Sequence, residues 1–276
     1  MKKHRVRNSL LLVMFAALGF RSASGLTHGG ETVRPAGYLF GSLEYDGRAY
    51  PYTVYVPRTV DIGADGGTPG RGLVFLHGAG ECGTDGSKPL AVGLPPAVML
   101  DAERWPFVVL IPQKPTWDSE WEDHEGAVLA MLDRVIAEHG VDPDRVAITG
   151  LSQGGHGTIA IASRHPERFR AAAPVCGYVL RWWTDGERGT LGPPATPETQ
   201  ADADRIVRGL STVPIWFFHG GKDNVVPPGE SEWLHDAMQD AGHDSTLTVF
   251  PGDNHNSWDS AYRGGDLAAW LVEMTE

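Results

Sequence analysis

The hydrophobic and polar positions follow two kinds of pattern beyond residue 37, and these patterns predict the secondary structure. Residues 38–57 alternate apolar and polar positions about an Asp46-Gly47 pair, which predicts a β-hairpin. Continuous apolar runs farther along predict strands that are buried on both faces. These runs cover residues 72–78, 107–112, 145–150, 170–177, 213–220 and 245–250.

Helical periodicity, with apolar residues three or four positions apart, occupies the intervals between the apolar runs. The helical segments are residues 125–140, 154–166, 229–243 and 261–274. Strands that alternate with helices predict an α/β fold, with a mostly parallel central sheet, helices on both faces and the antiparallel hairpin at the N-terminal end.

The chain shows no internal repeat and no linker that would separate two domains. Residues 33–276 are therefore expected to form a single domain. The stretch 178–210 lies between two core strands and includes the proline-rich segment TLGPPATPETQ. We expect it to be an insertion over the strand ends and a partial lid.

The first 25 residues differ in composition from the rest of the chain. Four basic residues precede an apolar segment at 9–20, and small residues follow it at 22–25. This arrangement predicts a cleaved signal peptide, because twelve apolar residues fall short of the roughly 20 that cross a bilayer. The mature protein is then expected to be secreted or periplasmic, without a membrane anchor.

The charge balance narrows the choice of partners. The chain has 23 basic against 35 acidic residues, a net charge of −12 that becomes −17 once residues 1–25 are removed. So acidic a protein is a poor candidate for binding nucleic acid or anionic lipid. The acidic charge favours neutral substrates instead. The sequence does not indicate the oligomeric state.

Two cysteines and the absence of several motifs limit the cofactor chemistry. Cys82 and Cys176 are compatible either with one disulfide or with two free thiols. Two cysteines alone do not form a structural zinc site. The sequence has no HExxH motif, CxxC pair or phosphate-binding loop, so we expect no metal, nucleotide or flavin cofactor.

The sequence GLSQGG at 150–155 has the spacing of a nucleophile elbow. Its Ser152 directly follows a predicted buried strand and precedes a predicted helix, which is the context that such an elbow requires. Gly150 and Gly154 permit a tight turn that exposes the hydroxyl at the carboxyl edge of the sheet. Ser152 is therefore the predicted nucleophile.

A serine nucleophile requires a base and a carboxylate, and in this architecture they follow it along the chain. Asp223 comes just after the strand 213–220, and His255 lies in the loop after the strand 245–250. Both loops belong to the same sheet edge as Ser152, so these residues are the predicted acid and base. His77 is expected to be structural, and His156 to pack rather than to catalyse.

Further site residues are predicted from their loops. The backbone N–H groups of Gln153 and Ala79 are the predicted oxyanion donors, with Gly80 as the alternative to Ala79. Several tryptophans occur in loops of the same edge and are predicted to line the substrate pocket, since aromatic walls suit planar acyl groups and sugar rings. They are Trp117, Trp121, Trp182 and Trp258, with Trp183 in the same group of loops, and packing in the core or lid is the alternative for each.

Several motifs together resemble the α/β-hydrolase superfamily. They are LHGAGE (76–81), IPQ (111–113), DPDRVAITGLSQGG (142–155), APVCGY (173–178), HGGKDNVVP (219–227) and GDNHNSW (252–258). The similarity covers residues 38–274. It includes small secreted esterases of the feruloyl-esterase and polyhydroxybutyrate-depolymerase types, and the hydrolase domain of prolyl oligopeptidases. Such esterases commonly have Arg or Asn where this chain has Cys82.

The resemblance implies an α/β-hydrolase fold and a serine carboxylesterase that cleaves esters through an acyl-enzyme. Its substrate would be a small ester, or an ester linked to carbohydrate or polyester. Two other hypotheses remain from the sequence. One is a serine peptidase of the prolyl-oligopeptidase type, and the other is a non-catalytic binding protein on a hydrolase scaffold.

Overall fold

The central sheet has eight strands, and the apolar runs of the sequence form its interior. In chain order they are β1 (Gly37–Tyr45), β2 (Arg48–Val56), β3 (Gly70–Leu76), β4 (Phe107–Pro112), β5 (Val141–Leu151), β6 (Ala171–Val175), β7 (Ile215–Gly220) and β8 (Ser245–Phe250). Their order across the sheet is β1-β2-β4-β3-β5-β6-β7-β8. β2 runs antiparallel to both neighbours, whereas the pairings from β4 to β8 are parallel. The predicted α/β class, with a mostly parallel sheet and an antiparallel hairpin, is confirmed.

The computed structural model describes residues 36–58, 69–184, 187–264 and 266–276, together with two short paired strands, Thr27–His28 and Glu31–Thr32. The chain divides into the units Met1–Pro35 and Ala36–Glu276, and the eight-stranded sheet belongs to the second unit. The predicted signal peptide at 1–25 lies outside the described residues. Within the described part of the chain, none of the helices combines the length and apolarity that crossing a membrane requires.

The hairpin between β1 and β2 turns where the sequence predicts it. Asp46 and Gly47 both have positive φ angles, 49° and 72°. Two such residues in succession form the tight turn whose twist matches that of the flanking strands, and an Asp-Gly pair is a preferred sequence for it.

Seven helices cover the two faces of the sheet in the described residues. They are α1 (Leu94–Leu100), α2 (Glu125–His139), α3 (Gln153–Arg164), α4 (Pro197–Gly209), α5 (Gly229–Asp240), α6 (Trp258–Arg263) and α7 (Asp266–Met274). One apolar cluster joins the sheet to α2, α3 and α5. A second cluster joins the opposite face to α1, α6 and α7. The helices therefore lie on both faces, as predicted.

Two helical segments differ from the prediction. The single helix predicted at 261–274 was wrong, because α6 ends at Arg263, with Gly264 as its C-cap, and α7 begins at Asp266. Glycine is a poor helix former, so the Gly264-Gly265 pair favours this interruption. Helix α4 was not predicted, although Thr196 accepts a hydrogen bond from the N–H of Thr199 and Pro197 occupies the first turn, which are both start signals.

Helix α4 occupies the second half of the stretch 178–210 and packs against α3. Its Ala203 is buried, and Gly209 approaches the backbone of Ser163 so closely that a side chain there would collide. The first half contains a short strand pair, Trp183–Thr184 with Glu187–Arg188.

Candidate active site

Ser152 stands at the tight turn between β5 and α3. Its φ of 54° and ψ of −118° are a backbone conformation that costs a non-glycine residue about 1–3 kcal/mol. The Ser152 N–H donates to Val175 O at 2.9 Å, and its carbonyl accepts the N–H of His156 at 3.1 Å. A Cβ at Gly150 or Gly154 would collide with backbone atoms. The turn therefore requires glycine at both positions and holds Ser152 in a strained conformation.

The structure brings His255 and Asp223 together beside Ser152. His255 Nε2 lies 2.9 Å from Ser152 Oγ, and His255 Nδ1 lies 2.7 Å from Asp223 Oδ2. Because a carboxylate only accepts hydrogen bonds, Nδ1 has the ring proton and Nε2 is free to accept the serine proton. The three residues predicted from their order along the chain thus form one hydrogen-bonded path.

The Asp223 carboxylate is fixed by more than the His255 ring. Its Oδ1 accepts the N–H groups of Val225 and Val226 at 2.9 and 3.0 Å. The buried His219 donates from Nε2 to Val226 O at 3.0 Å, and the same nitrogen lies 3.3 Å from Asp223 Oδ2. Burial raises the pKa of Asp223, but hydrogen bonds from His219, His255 and the Val225 N–H outweigh it and hold the pKa below its usual range. The carboxylate therefore stays ionised.

The predicted oxyanion donors belong to the two segments next to Ser152, the start of α3 and the loop after β3. Gln153 is the first residue of α3, and Ala79 begins a single 3₁₀ turn, Ala79–Glu81, just after β3. A Cβ built on Gly78 would lie 3.5 Å from the Ser152 Cβ, so the loop after β3 passes directly beside the serine. Helix N-termini and turns of this kind present unpaired N–H groups.

His77 and Trp121 brace the loop after β3. His77 Nδ1 donates to Gly78 O at 2.6 Å, and its Nε2 accepts the N–H of Lys114 at 3.2 Å. Burial lowers the pKa of His77 to about 3, so the ring is neutral, in keeping with a structural role. Trp121, predicted to line the substrate pocket, is instead 1% exposed, packs on Gly157 and donates its indole N–H to His77 O at 3.0 Å. Its contribution is to the shape of the loop rather than to a pocket wall.

The Gln153 side chain forms a contact that the sequence did not reveal. Its amide nitrogen lies 3.0 Å from both Trp117 O and Ser119 O, and 3.1 Å from Glu120 Oε2. The side chain is fully buried, and Ser119 O also accepts from the buried Lys114 ammonium at 2.8 Å. Gln153, the residue that follows the nucleophile, therefore holds the loop 117–120 in place.

Replacing Gln153 with methionine is expected to lower the free energy of unfolding by about 2 kcal/mol, because buried acceptors lose their donor. The backbone N–H at 153 is unaffected by the change, so turnover should fall by much less than on loss of the nucleophile. Urea unfolding measures the stability change. Gln200→Met is the matched control, since Gln200 is exposed on α4 and its side-chain amide donates to the exposed Asp204. Equal effects of the two substitutions would contradict the loop contact.

A buried ion pair lies behind the nucleophile. His156 Nε2 lies 3.0 Å from Glu122 Oε2, and its Nδ1 lies 3.2 Å from Tyr178 O. Burial lowers the pKa of His156, but Glu122 outweighs it and raises that pKa to about 9. Burial likewise raises the pKa of Glu122, but His156 and Arg181 lower it to about 2. Both groups are therefore charged at neutral pH, and His156 packs as predicted, with its ring stacked on Tyr178 at 4.5 Å.

Three tryptophans predicted for the pocket have different environments. Trp117 is 53% exposed on the loop held by Gln153. Trp258 meets the His255 ring edge-on, with ring centroids 5.6 Å apart, so it supports the base. Trp182 packs edge-on against Tyr178 and donates its indole N–H to Gly189 O. Of the three, Trp117 is the most exposed; the side chain of Trp183 lies outside the described residues.

The two cysteines are free thiols, so the sequence alternative of a disulfide is excluded. Two groups of side chains in the described residues have the ligand types and spacing for a metal ion. One is Cys176 with Asp223 and His255, and the other is the buried cluster of Glu120, Glu122 and His156.

Comparisons with known proteins place the site in a family context. The model of the prolyl oligopeptidase family matches residues 120–276. Poly(3-hydroxyalkanoate) depolymerase C from Paucimonas lemoignei is 27% identical over 219 residues, which are 67% of this chain and 52% of the depolymerase. Esterase YjfP from Escherichia coli (strain K12) is 32% identical over 138 residues, 44% of this chain and 54% of that esterase. The chain thus spans about half the length of these curated relatives.

Solved structures include a similar fold. A thermostable esterase known from its crystal structure is 28% identical and superimposes with a TM-score of 0.63, over 86% of this chain and 62% of that chain. The residues matched by the family model include Ser152, Asp223 and His255. The path of hydrogen bonds described above therefore falls within the matched region.

Proposed function

The chain belongs to the prolyl oligopeptidase family within the α/β-hydrolases, and from this we propose that it is a serine hydrolase with Ser152, His255 and Asp223 as its catalytic triad. One observation above all supports the proposal. Hydrogen bonds run without a break from Asp223 Oδ2 through both ring nitrogens of His255 to the Ser152 Oγ. That hydroxyl also stands on a strained turn, which is typical of functional sites.

In the proposed reaction, Ser152 Oγ attacks the carbonyl carbon of the substrate as its proton passes to His255 Nε2. The ionised Asp223 stabilises the resulting imidazolium. The N–H groups of Gln153 and Ala79 bind the oxyanion, and a single such donor contributes about 10²–10³ in kcat. His255 then gives the proton to the leaving group, and a water molecule releases the acyl group by the reverse steps.

The proposed substrates are carboxylic esters, either small or linked to carbohydrate or polyester. Two relatives are named as an esterase and a poly(3-hydroxyalkanoate) depolymerase, and both names denote ester cleavage. The exposed Trp117 offers a flat apolar surface to such substrates. A second candidate is peptide hydrolysis, which the match to the prolyl oligopeptidase family favours.

Secretion is part of the same proposal. The basic and apolar segments within residues 1–25 support a cleaved signal peptide, and the strongly acidic remainder is unsuited to binding anionic lipid through charge. The mature protein would then act outside the cytoplasm on neutral esters.

A fluorophosphonate probe and a substrate panel test the proposed chemistry. The probe should attach once per chain, on the peptide that contains Ser152. In His255→Ala the rate of labelling should fall by about 10²–10⁴, the usual contribution of a general base. Heat-denatured protein is the control for adventitious labelling. No labelling, or labelling at another residue, would contradict the triad.

The panel compares acetyl, feruloyl and oligomeric hydroxybutyrate esters with aminoacyl anilides at equal enzyme concentration. A higher kcat/KM for esters supports the carboxylesterase. A higher value for the anilides would instead support the peptidase and overturn the ester assignment, while leaving the triad in place.

A further inference from the structure

The Cys176 thiol lies beside the proposed acid and base, yet the proposed hydrolysis gives it no role. Cys176 directly follows β6, is fully buried and forms no disulfide. Its Sγ, a carboxylate oxygen of Asp223 and a ring nitrogen of His255 all lie within 4.8 Å of one another. Thiolate, carboxylate and imidazole are the three ligand types that bind Zn²⁺ in proteins, and thiolate selects for soft cations.

The distances permit a cation between these side chains after a small movement. Asp223 Oδ2 and His255 Nδ1 are 2.7 Å apart. Two zinc bonds of about 2.0–2.2 Å at a tetrahedral angle separate their ligand atoms by about 3.3 Å. The His255 side chain is 19% exposed, whereas the Asp223 side chain is fully buried. The His255 loop is therefore the side that moves to admit a cation.

The hydroxyl of Ser257 is a second observation at the same place. It is fully buried, and its side-chain partner is the Cys176 thiol. Ser257 is held close to His255 by a backbone hydrogen bond of 2.9 Å to His255 O. The Ser257 hydroxyl therefore lies beside the sulfur that would bind the cation.

The second cluster with metal-ligand spacing is already neutralised. Glu122 pairs with His156 at 3.0 Å and lies 3.6 Å from the Arg181 guanidinium, while Glu120 accepts the Tyr178 hydroxyl at 2.8 Å. A cation there would have to displace two positive groups. In the described part of the chain, the Asp223 carboxylate pairs with the imidazoles of His219 and His255 and with no lysine or arginine.

We propose that Cys176, Asp223 and His255 form an inhibitory site for a soft divalent cation such as Zn²⁺ or Cd²⁺. The inhibition rests on the proposed function, whereas the binding does not. On binding, the S–H bond of Cys176 breaks, a metal–sulfur bond forms and one proton leaves to solvent. The proton on His255 Nδ1 is replaced by the metal, and the neutral ring takes a proton at Nε2. No electrons are transferred.

The change of tautomer explains why a bound cation stops hydrolysis. An imidazole whose Nε2 already has a proton cannot accept another from Ser152 without losing its bond to the metal. Substrate can still reach the serine, so the cation is expected to lower kcat more than it raises KM.

Binding is tested first, on full-length Ser152→Ala, where hydrolysis plays no part. Cd²⁺ titration should give the ultraviolet band of a cadmium–thiolate bond and one Cd²⁺ per chain by equilibrium dialysis. Adding Cys176→Ala should weaken binding by more than about 100-fold, since even outer-shell changes cost 10–100-fold in metal affinity. Adding Cys82→Ala, the matched control, should leave binding unchanged. Equal binding with and without Cys176, or loss of binding with Cys82, would overturn the site.

Inhibition is tested next, in the otherwise wild-type chain. Zn²⁺ should lower kcat reversibly, with recovery on adding a chelator, and Cys176→Ala should remove this sensitivity while Cys82→Ala retains it. Circular dichroism checks folding, and Cys176→Ser provides a second variant of similar shape that lacks the soft sulfur. Cd²⁺ binding without inhibition would overturn the inhibitory role. If the chain has no hydrolase activity, the proposed function is contradicted. The Cd²⁺ binding measured on Ser152→Ala still decides whether the metal site exists.

Discussion

Ser152→Ala is expected to lower kcat by about 10⁶ and to leave the fold intact. The substitution removes only the hydroxyl oxygen, which is the attacking atom of the proposed reaction. Alanine must adopt the same φ of 54° as serine, so the strain of the turn is unchanged. Steady-state hydrolysis of the best ester measures the activity, and urea unfolding measures the stability.

Ser163→Ala is the matched control for that prediction. Ser163 lies on the same helix, α3, and its hydroxyl donates to Ala160 O at 2.9 Å. Its loss is expected to cost about 1 kcal/mol or less and to leave kcat unchanged. Turnover by Ser152→Ala at a rate close to that of the Ser163→Ala protein would show that another residue is the nucleophile.

Glu122→Gln is expected to lower the free energy of unfolding by about 3 kcal/mol at neutral pH. The His156 imidazolium is fully buried, and without its carboxylate it must either stay uncompensated or release its proton. A pKa raised from 6.5 to about 9 corresponds to about 3 kcal/mol at 1.36 kcal/mol for each unit. Urea unfolding at several pH values measures the change.

The pH dependence of this difference has a definite sign. The folded pKa of His156 is raised to about 9, so its contribution is complete below about pH 6.5 and is lost as the pH rises through 9. The folded pKa of Glu122 is lowered to about 2, so the pair also loses stability as the pH falls from about 4.5 towards 2. The difference in free energy of unfolding between wild type and Glu122→Gln should therefore be largest near pH 5–6.

Glu125→Gln is the control for the buried pair. Glu125 is three residues away, and its carboxylate meets Arg164 at 3.1 Å in a pair with 27% and 49% exposed side chains. Exposed pairs contribute about 0–1 kcal/mol. Equal destabilisation by the two Glu→Gln changes would mean that His156 is not held as an imidazolium.

The order of strands explains why the residues around Ser152 could be inferred from the sequence. Parallel strands place their carboxyl ends at one edge, so residues that follow β5, β7 and β8 meet there even though Ser152 and His255 are 103 positions apart. Local signals were equally informative for the Asp46-Gly47 turn. The break at Gly264 and the start of α4 were also marked in the sequence, by glycine and by the Thr196 cap.

The side-chain contacts that fix the shape of the site could not be predicted from any local pattern in the sequence. The Gln153 side chain meets Trp117, Ser119 and Glu120 across more than 30 positions, and all of these belong to irregular loops. Glu122 and His156 are likewise 34 positions apart, one in a 3₁₀ turn and the other in α3. Aromatic residues are similarly ambiguous, because Trp117 and Trp121 are four positions apart, yet one is exposed and the other is in the core. Periodicity gives an element's face, but it does not give the path of a loop.

The two apolar clusters have a consequence for when activity begins. Ser152 heads α3, which packs in the cluster on one face of the sheet, whereas His255 precedes α6, which packs in the cluster on the other. A folding intermediate with one face assembled would hold either the nucleophile or the base in place, but not both. Such a chain would lack the complete triad, so the proposed hydrolysis would report completion of the whole fold.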